Sequence, residues 1–365
     1  MAISLLIFML IVSKKNKLIA DKYLLGYIGF FLFYQLLFLI ESVNYFNHSY
    51  LPLFTRGFYL VCTPLFYLYL LHLTSLGRKL PSYRYLLFVP FIYFTLLFIT
   101  YYLIGFERFS FTVENGILYQ NGEISVPWII CSILLLLIDP ICLLICFKSY
   151  KSYLRSIEKS HSNTDKINLG WIRVLLFMWA ISILIVIPLH IISLNNDFLS
   201  TTTVSAIHHL FDLITVFIIG WFGVKQRVVY DFSPVIAVAN KTSYSRSGLS
   251  EETADEIHDA LLQYMSEKKP YLNGELKAAD ICEALNISNA HLSQVLSQKQ
   301  GQNFFEFINE YRIEAVKEKM SDSKYRQYTL LGIALESGFN SKTTFNTLFK
   351  KYEGMTPSAY YRGIQ

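Results

Sequence analysis

Apolar runs alternate with short polar segments over the first 230 residues of the chain. An α-helix needs about 20 mostly apolar residues to cross the hydrocarbon layer of a membrane. Six runs reach that length and predict spanning helices over residues 23–43, 54–73, 85–104, 127–147, 174–194 and 204–224. A shorter run over residues 2–12 precedes them. It is either the remainder of a helix that begins upstream of Met1 or a tilted span in a thinned bilayer.

Basic residues are distributed unequally between the loops that join these runs. One alternate set of loops holds 15 lysines and arginines, whereas the other set holds only Arg56 and Arg108. Because basic residues are retained on the cytoplasmic side of a membrane, the bias predicts that everything after Tyr230 lies in the cytoplasm. With about seven spans, the N-terminus lies on the outer side.

Composition divides the chain at the same place. The whole chain is 53% hydrophobic and only 16% charged, but residues 231–365 hold 32 charged side chains against 27 in the much longer segment 1–230. The five cysteines form no CxxC pair and fall in apolar or helical segments, so they are interpreted as reduced, buried thiols. These features exclude a disordered chain, a disulfide-stapled secreted domain and a single soluble enzyme.

Ionisable side chains inside a membrane are costly and are functional candidates where they occur. The candidates singled out in the predicted spans or at their ends are Glu41, Asp139, His190, His208 and Asp212. They predict either an outward-facing site for a cation, a metal or a polar ligand, or interfacial histidines with hydrogen bonds between helices, and the second interpretation is favoured. The sequence has no Cys/His metal-ligand spacing and no HExxH-like motif, so no catalytic residue, metal site or cofactor is predicted.

The outer loop over residues 106–126 alternates apolar and polar positions around Asn115-Gly116 and Asn121-Gly122, which predicts a small hairpin. Residues 231–250 are rich in Ser, Asn and Thr and are typical of a linker. We therefore expect a transmembrane region over residues 1–230, a linker over 231–250 and a cytoplasmic domain over 251–365.

A near-repeat carries the strongest signal in that domain. Residues 278–298 predict a short helix, a turn and a second helix capped by Ser288, and residues 330–352 predict the same arrangement with Ser341 as the cap. An amphipathic helix over residues 303–319 joins them. Both second helices carry one apolar stripe, formed by Leu292, Val295 and Leu296 in the first and by Phe345, Leu348 and Phe349 in the second. Short helix, turn and polar-faced second helix form the helix-turn-helix layout, whose second helix enters the major groove of DNA.

These segments resemble the DNA-binding domain of the AraC family of transcription regulators over residues 268–362. The likeness rests on the connection GQNFFEFINEYR and on the ending SGFNSKTTFNTLFKKYEGMTPSAYYR. It implies two helix-turn-helix units that read successive major grooves of promoter DNA. The residues implied to face bases and phosphates, together with Ser297 on the same polar face, are Ala290, His291, Gln294, Ser297, Thr343, Asn346, Thr347, Lys350 and Lys351.

Many members of that family carry a soluble sugar-binding barrel upstream, whereas this chain carries apparent spans. It is therefore similar to the membrane-anchored members, which implies an all-α, multi-pass protein of the bacterial inner membrane with its C-terminal domain in the cytoplasm. The net charge after Glu283 is only +3, so specific contacts have to supply most of the DNA affinity.

The sequence thus predicts a membrane-embedded transcription regulator, with no enzymatic activity, that couples a small-molecule or envelope signal to promoter binding. Its expected partners are double-stranded DNA and the lipid bilayer, and a homodimer is one of the open oligomeric states. Two alternatives remain. One is a transporter or intramembrane enzyme that carries a regulatory DNA-binding tail, and the other is a set of spans that only tethers the domain.

Overall fold

The computed structural model describes residues 1–365 except 16, 43–50, 76–79, 81, 106–107, 115–116, 166, 196–200, 226–248 and 365. The chain forms two compact units. The first comprises Met1–Lys151 and Gly170–Asp231, and the second comprises Ser152–Leu169 and Phe232–Gln365. The predicted linker lies outside the described residues up to position 248.

The first unit consists mainly of apolar helices: α1 (Ala2–Val12), α2 (Ile19–Ser42), α3 (Leu51–Thr74), α4 (Val89–Ile104) after the 3₁₀ turn Ser82–Phe88, α5 (Val126–Glu158), α6 (Gly170–Asn195) and α7 (Thr201–Lys225). Five segments are long and apolar enough to cross a membrane: Ile19–Ile40, Gly57–Thr74, Arg84–Ile104, Val126–Glu158 and Gly170–Ser193. The apolar stretches of α1 and α7 are shorter, Ala2–Val12 and Ala206–Phe222. The predicted runs are thus all helical among the described residues, and the all-α class is confirmed.

The loop between α4 and α5 forms a three-stranded antiparallel sheet of β1 (Phe111–Glu114), β2 (Ile117–Gln120) and β3 (Glu123–Ile124). Asn121 and Gly122 connect β2 to β3 with φ angles of 55° and 84°. Two consecutive positive φ angles are what a type I′ turn requires, and Asn-Gly is its preferred pair. The hairpin prediction is confirmed at this turn, whereas Asn115-Gly116 lies outside the described residues.

The main part of the second unit is helical: α8 (Glu251–Lys268), α9 (Ala278–Leu285), α10 (Asn289–Val295) with a π-helical extension Leu296–Gln300, α11 (Phe304–Ser321), α12 (Leu330–Glu336), α13 (Lys342–Glu353) and α14 (Pro357–Gly363). Asn303 and Glu306 form a reciprocal capping box at the start of α11, since each side chain accepts the other's backbone N–H. This box fixes where the connecting helix begins.

Two apolar cores flank α11. Its Phe304, Phe307 and Ile308 belong to a core shared with α8, α9 and α10. Its Ile313 and Val316 belong to a core shared with α12 and α13. Because one helix contributes to both cores, the two helix-turn-helix units are held in a fixed relation to each other.

Candidate functional sites

The first helix-turn-helix unit is α9, a tight turn and α10. The turn closes at Asn286, which adopts a left-handed conformation with φ of 52°, and asparagine tolerates that region better than most residues. The Ser288 hydroxyl then accepts the backbone N–H of His291 at 3.1 Å and caps α10. The predicted cap and the buried stripe of Leu292, Val295 and Leu296 are confirmed.

The second unit repeats this construction with α12 and α13. The Ser341 hydroxyl accepts the backbone N–H of Thr344 at 3.2 Å, as predicted. The turn passes through Gly338 at φ of 91°. A Cβ atom there would lie 2.9 Å from Nε of Arg312 and closer still to the carbonyl oxygen of Tyr271, so only glycine fits.

The polar faces of α10 and α13 point away from both cores. Seven of the nine predicted DNA-contact residues are exposed: Ala290, Ser297, Thr343, Asn346, Thr347, Lys350 and Lys351. His291 and Gln294 are half-buried. Lys351 is paired with Glu306 at 3.0 Å, so it is oriented by the domain itself, while Lys350 lies one residue earlier on the exposed face. Hydroxyl, amide and lysine groups in this arrangement are able to contact base edges and phosphates.

A feature that the sequence did not reveal is that residues 152–169, which comprise the C-terminal end of α5 and the segment that leads to α6, belong to the second unit. Ser162 is 1% exposed, and both its backbone N–H and its hydroxyl donate to the carbonyl of Leu276. The carbonyl of Ser160 accepts the backbone N–H of Ala278 at 3.0 Å, and His161 pairs with Lys277 as an antiparallel bridge. The loop thus adds a short extended segment beside the start of α9.

Arg312 of α11 joins this loop to the domain core. The side chain is 1% exposed. Nη1 donates to the carbonyl of Ser162 at 3.0 Å and Nη2 donates to its hydroxyl at 2.9 Å. The remaining donors reach the carbonyls of Tyr271 and Asn273 and the side chain of Asn309. Burial lowers the pKa of Arg312 to about 10, so the guanidinium stays charged at neutral pH and depends on these acceptors.

The same loop contacts α13, the second helix of the second helix-turn-helix unit. The Thr344 hydroxyl donates to Oδ1 of Asp165. The other carboxylate oxygen of Asp165 is buried and has no hydrogen-bond partner among the described residues. Because Thr344 stands in the first turn of α13, this contact places a negative charge beside the N-terminal end of that helix. Thr343 and Thr347, which are predicted to contact DNA, remain exposed next to it.

In the first unit, four predicted polar residues line one cavity of about 390 Å³: Asp139, His190, His208 and Asp212. The side chain of Glu41 lies outside the described residues. Hydrogen bonds between helices are also present, because Thr63 donates to Asp139 at 2.6 Å and the Tyr59 hydroxyl lies 3.2 Å from Nε2 of His208. Within the described part of the chain, no group of three or more His, Cys, Asp or Glu residues is placed to hold a metal ion.

Comparison with known proteins places the helix-turn-helix units in a family. Residues 281–363 match a family described as "Helix-turn-helix domain". The chain is 28% identical over 137 residues, 37% of its length, to an uncharacterized HTH-type transcriptional regulator of Staphylococcus aureus strain COL. It is 28% identical over 85 residues, 23% of its length, to the raffinose operon transcriptional regulatory protein RafR of Pediococcus pentosaceus. The matched regions cover 17% of the first relative and 30% of the second.

A solved protein of unknown function from Listeria innocua is 26% identical, with a TM-score of 0.27; the match covers 30% of this chain and 98% of that one. The sequence matches and the two capped units agree on the same segment, and both relatives named above are described as transcriptional regulators. The C-terminal part of the chain therefore carries an AraC-type helix-turn-helix domain, the domain type of DNA-binding transcription regulators.

Proposed function

We propose that this protein is a membrane-embedded transcription regulator that binds promoter DNA in a sequence-specific manner. One observation carries the proposal: two capped helix-turn-helix units share α11 as a common core element and present exposed polar faces on α10 and α13. In such units the second helix lies in the major groove. Gln294 and Thr347 are assigned to base edges and Lys350 to a phosphate.

Embedding in a membrane is supported by the surface of the first unit. Leu103, Leu144 and Leu184 expose 77, 69 and 73% of their side-chain surface. Exposed apolar residues in this number are costly in water, whereas they match the hydrocarbon layer around a spanning helix. The basic residues concentrated in alternate loops support a cytoplasmic second unit.

The experiment uses the full chain in lipid nanodiscs. Promoter fragments recovered with the protein by genome-wide crosslinking are retested for binding with purified protein, and random DNA of equal length is the control. We expect selective binding that the double variant Gln294→Ala/Thr347→Ala reduces to the level of random DNA. Equal affinity for recovered and random fragments would refute the proposal.

Signal coupling is proposed to run through residues 152–169. This loop joins two candidate spans in the sequence, and it contacts α11 through Ser162 and α13 through Asp165. A displacement of α5 or α6 therefore has a direct hydrogen-bonded route to a recognition helix. A tether has no need of such a route, because a tether only keeps the domain near the membrane.

A promoter fusion in cells separates coupling from tethering. The variant Ser162→Ala/Asp165→Asn weakens the loop contacts, and the exposed Ser152→Ala is the matched control. We expect the double variant to change promoter output several-fold and the control to leave it unchanged. The tether hypothesis predicts that residues 231–365 behind an unrelated single span restore normal output, and that result would overturn the coupling proposal.

A further inference from the structure

The cavity of the first unit has aromatic walls. Residues of helices α2, α3, α5, α6 and α7 line it, and its volume of about 390 Å³ is in the range of small-molecule sites. Nine aromatic side chains line it: Tyr27, Phe31, Tyr34, Phe38, Tyr59, Phe66, Trp128, Trp179 and Phe211. Several are packed against each other, as in Phe66 against Trp179 at 5.3 Å between ring centroids. Their faces carry negative electrostatic potential.

The ionisable groups of the cavity include two aspartates and two histidines, His190 and His208. Asp139 and Asp212 both line it, and no lysine or arginine does so among the described residues. Thr63 satisfies Oδ1 of Asp139, but Oδ2 of Asp212 is buried without a hydrogen-bond partner. A carboxylate in a membrane-spanning segment normally pairs with an opposite charge or a donor. Among the described residues of the lining, the two histidines are therefore the only groups able to carry a compensating positive charge, and no permanently charged cation faces the two carboxylates.

The surrounding chemistry distinguishes an organic cation from a metal ion. A metal needs several converging His, Cys or carboxylate ligands, and the described residues provide no such group. His208 is engaged with the Tyr59 hydroxyl at 3.2 Å. Aromatic faces attract cations whose charge is spread over a large, weakly hydrated body, and carboxylates add a charge partner for them.

We propose that this cavity binds an organic monocation with an apolar or aromatic body, such as a quaternary or protonated amine. Asp212 supplies the principal counter-charge, Asp139 the second one, and the aromatic walls hold the body of the ligand. This inference rests on the proposed function, since occupancy of a cavity lined by α5 and α6 is the signal that residues 152–169 pass to the DNA-binding domain.

The test uses the full chain in nanodiscs and two probes of nearly equal size and opposite charge, tetraphenylphosphonium and tetraphenylborate. Binding is followed by equilibrium dialysis and by quenching of Trp128 and Trp179 fluorescence. We expect saturable binding of the cation only, weakened about tenfold or more by Asp212→Asn and further by Asp139→Asn/Asp212→Asn. Glu123→Gln, in β3 outside the cavity lining, is the control and leaves binding unchanged.

Saturable binding of the anion with equal affinity, or cation binding that Asp212→Asn leaves intact, would overturn the inference. A folding defect is separated from loss of charge by Asp212→Glu, which retains the carboxylate and is expected to keep most of the affinity. Promoter binding is measured in the same preparation. Loss of promoter selectivity with normal cation binding refutes the regulator proposal alone, whereas selective promoter binding without cation binding refutes this inference alone.

Discussion

Arg312 and Ser162 are 150 residues apart in the chain and are joined by two hydrogen bonds of 3.0 and 2.9 Å. The guanidinium is buried, no carboxylate of the described residues is in hydrogen-bond contact with it, and its acceptors are carbonyl, hydroxyl and amide oxygens. A buried charge is tolerated only when its donors are satisfied. The loop over residues 152–169 is therefore part of what stabilises the DNA-binding domain.

Replacing Arg312 by lysine is expected to destabilise the second unit although the charge is kept. One ammonium group cannot reach acceptors spread around a planar guanidinium, so several carbonyls lose their donors, and we expect a loss of about 3 kcal/mol in the free energy of unfolding. Cys282 is buried in this unit, and its thiol-labelling rate in the native protein reports opening. Arg326→Lys, at an exposed position, is the control, and equal labelling rates in both variants would contradict the prediction.

The isolated fragment 251–365 is expected to be less stable than the same segment with its loop. Without residues 152–169, Arg312 loses both of its bonds to Ser162, and Asn309 loses its bond to the Ser162 carbonyl. A synthetic peptide of residues 152–169 added in trans should raise the unfolding midpoint of the fragment, with the logarithm of its concentration once the peptide exceeds its dissociation constant. The peptide with Ser162→Ala should act more weakly. A fragment that ignores the peptide would show that the loop contributes no stability.

Whether the sequence predicts a contact in this domain depends on how far apart its two residues lie along the chain. The caps Ser288 and Ser341 and the stripe of Phe345, Leu348 and Phe349 follow from spacings of three and four residues, so local pattern suffices. The Ser162 contact spans 150 residues and has no local periodicity. The basic residues around it indicated only the orientation of the spans, so nothing in the pattern linked the loop to α11.

Gly338→Ala is expected to destabilise the second helix-turn-helix unit. The backbone has φ of 91° there, and a Cβ atom would press on Arg312 and on the carbonyl of Tyr271. Strain of this kind costs about 1–3 kcal/mol, and displacement of the guanidinium adds to it. Gly363→Ala is the control, since no atom lies within 4 Å of a Cβ built at that position. Equal unfolding midpoints for the two variants would be incompatible with this account.

Single substitutions on the recognition helices should separate base contacts from phosphate contacts. Gln294→Ala and Thr347→Ala are each expected to relax specificity at one base pair by about 1–3 kcal/mol. Lys350→Ala should weaken binding to all sequences alike and reduce the salt dependence of the affinity. Binding to a set of operators with single base-pair changes, measured at several salt concentrations, checks both. A uniform loss for Thr347→Ala would assign Thr347 to a phosphate.

The cavity of the first unit is a second feature that the sequence predicts only in part. Spacing places His208 and Asp212 on one face of a helix, one turn apart, and a proline beside Asp139 marks that position in its span. Only the packing of five helices shows that these groups face a common space lined by aromatic rings. These aromatic residues belong to helices that are apolar on all sides, so the sequence does not show which side of each helix faces the cavity.

Docking of the loop should weaken in mild acid because of His161. Burial lowers the pKa of His161 below its usual value of 6.5, and Lys277 lowers it further, while Glu275 and Asp280 act in the opposite direction. In the free loop peptide the imidazole takes up a proton near pH 6.5, but in the docked loop it does so only at lower pH. The bound state therefore holds fewer protons in this window, and affinity falls as pH decreases through it.

The measurement is the affinity of the 152–169 peptide for fragment 251–365 between about pH 7.5 and pH 5.5, a range that brackets the usual titration of histidine. We expect full affinity at the upper end and a progressive loss below about pH 6.5. A peptide with His161→Asn cannot take up this proton, so its affinity should change much less with pH. Glu275 and Asp280 are present with both peptides, so the comparison between the peptides isolates His161. Parallel pH profiles for the two peptides would exclude His161 as the titrating group.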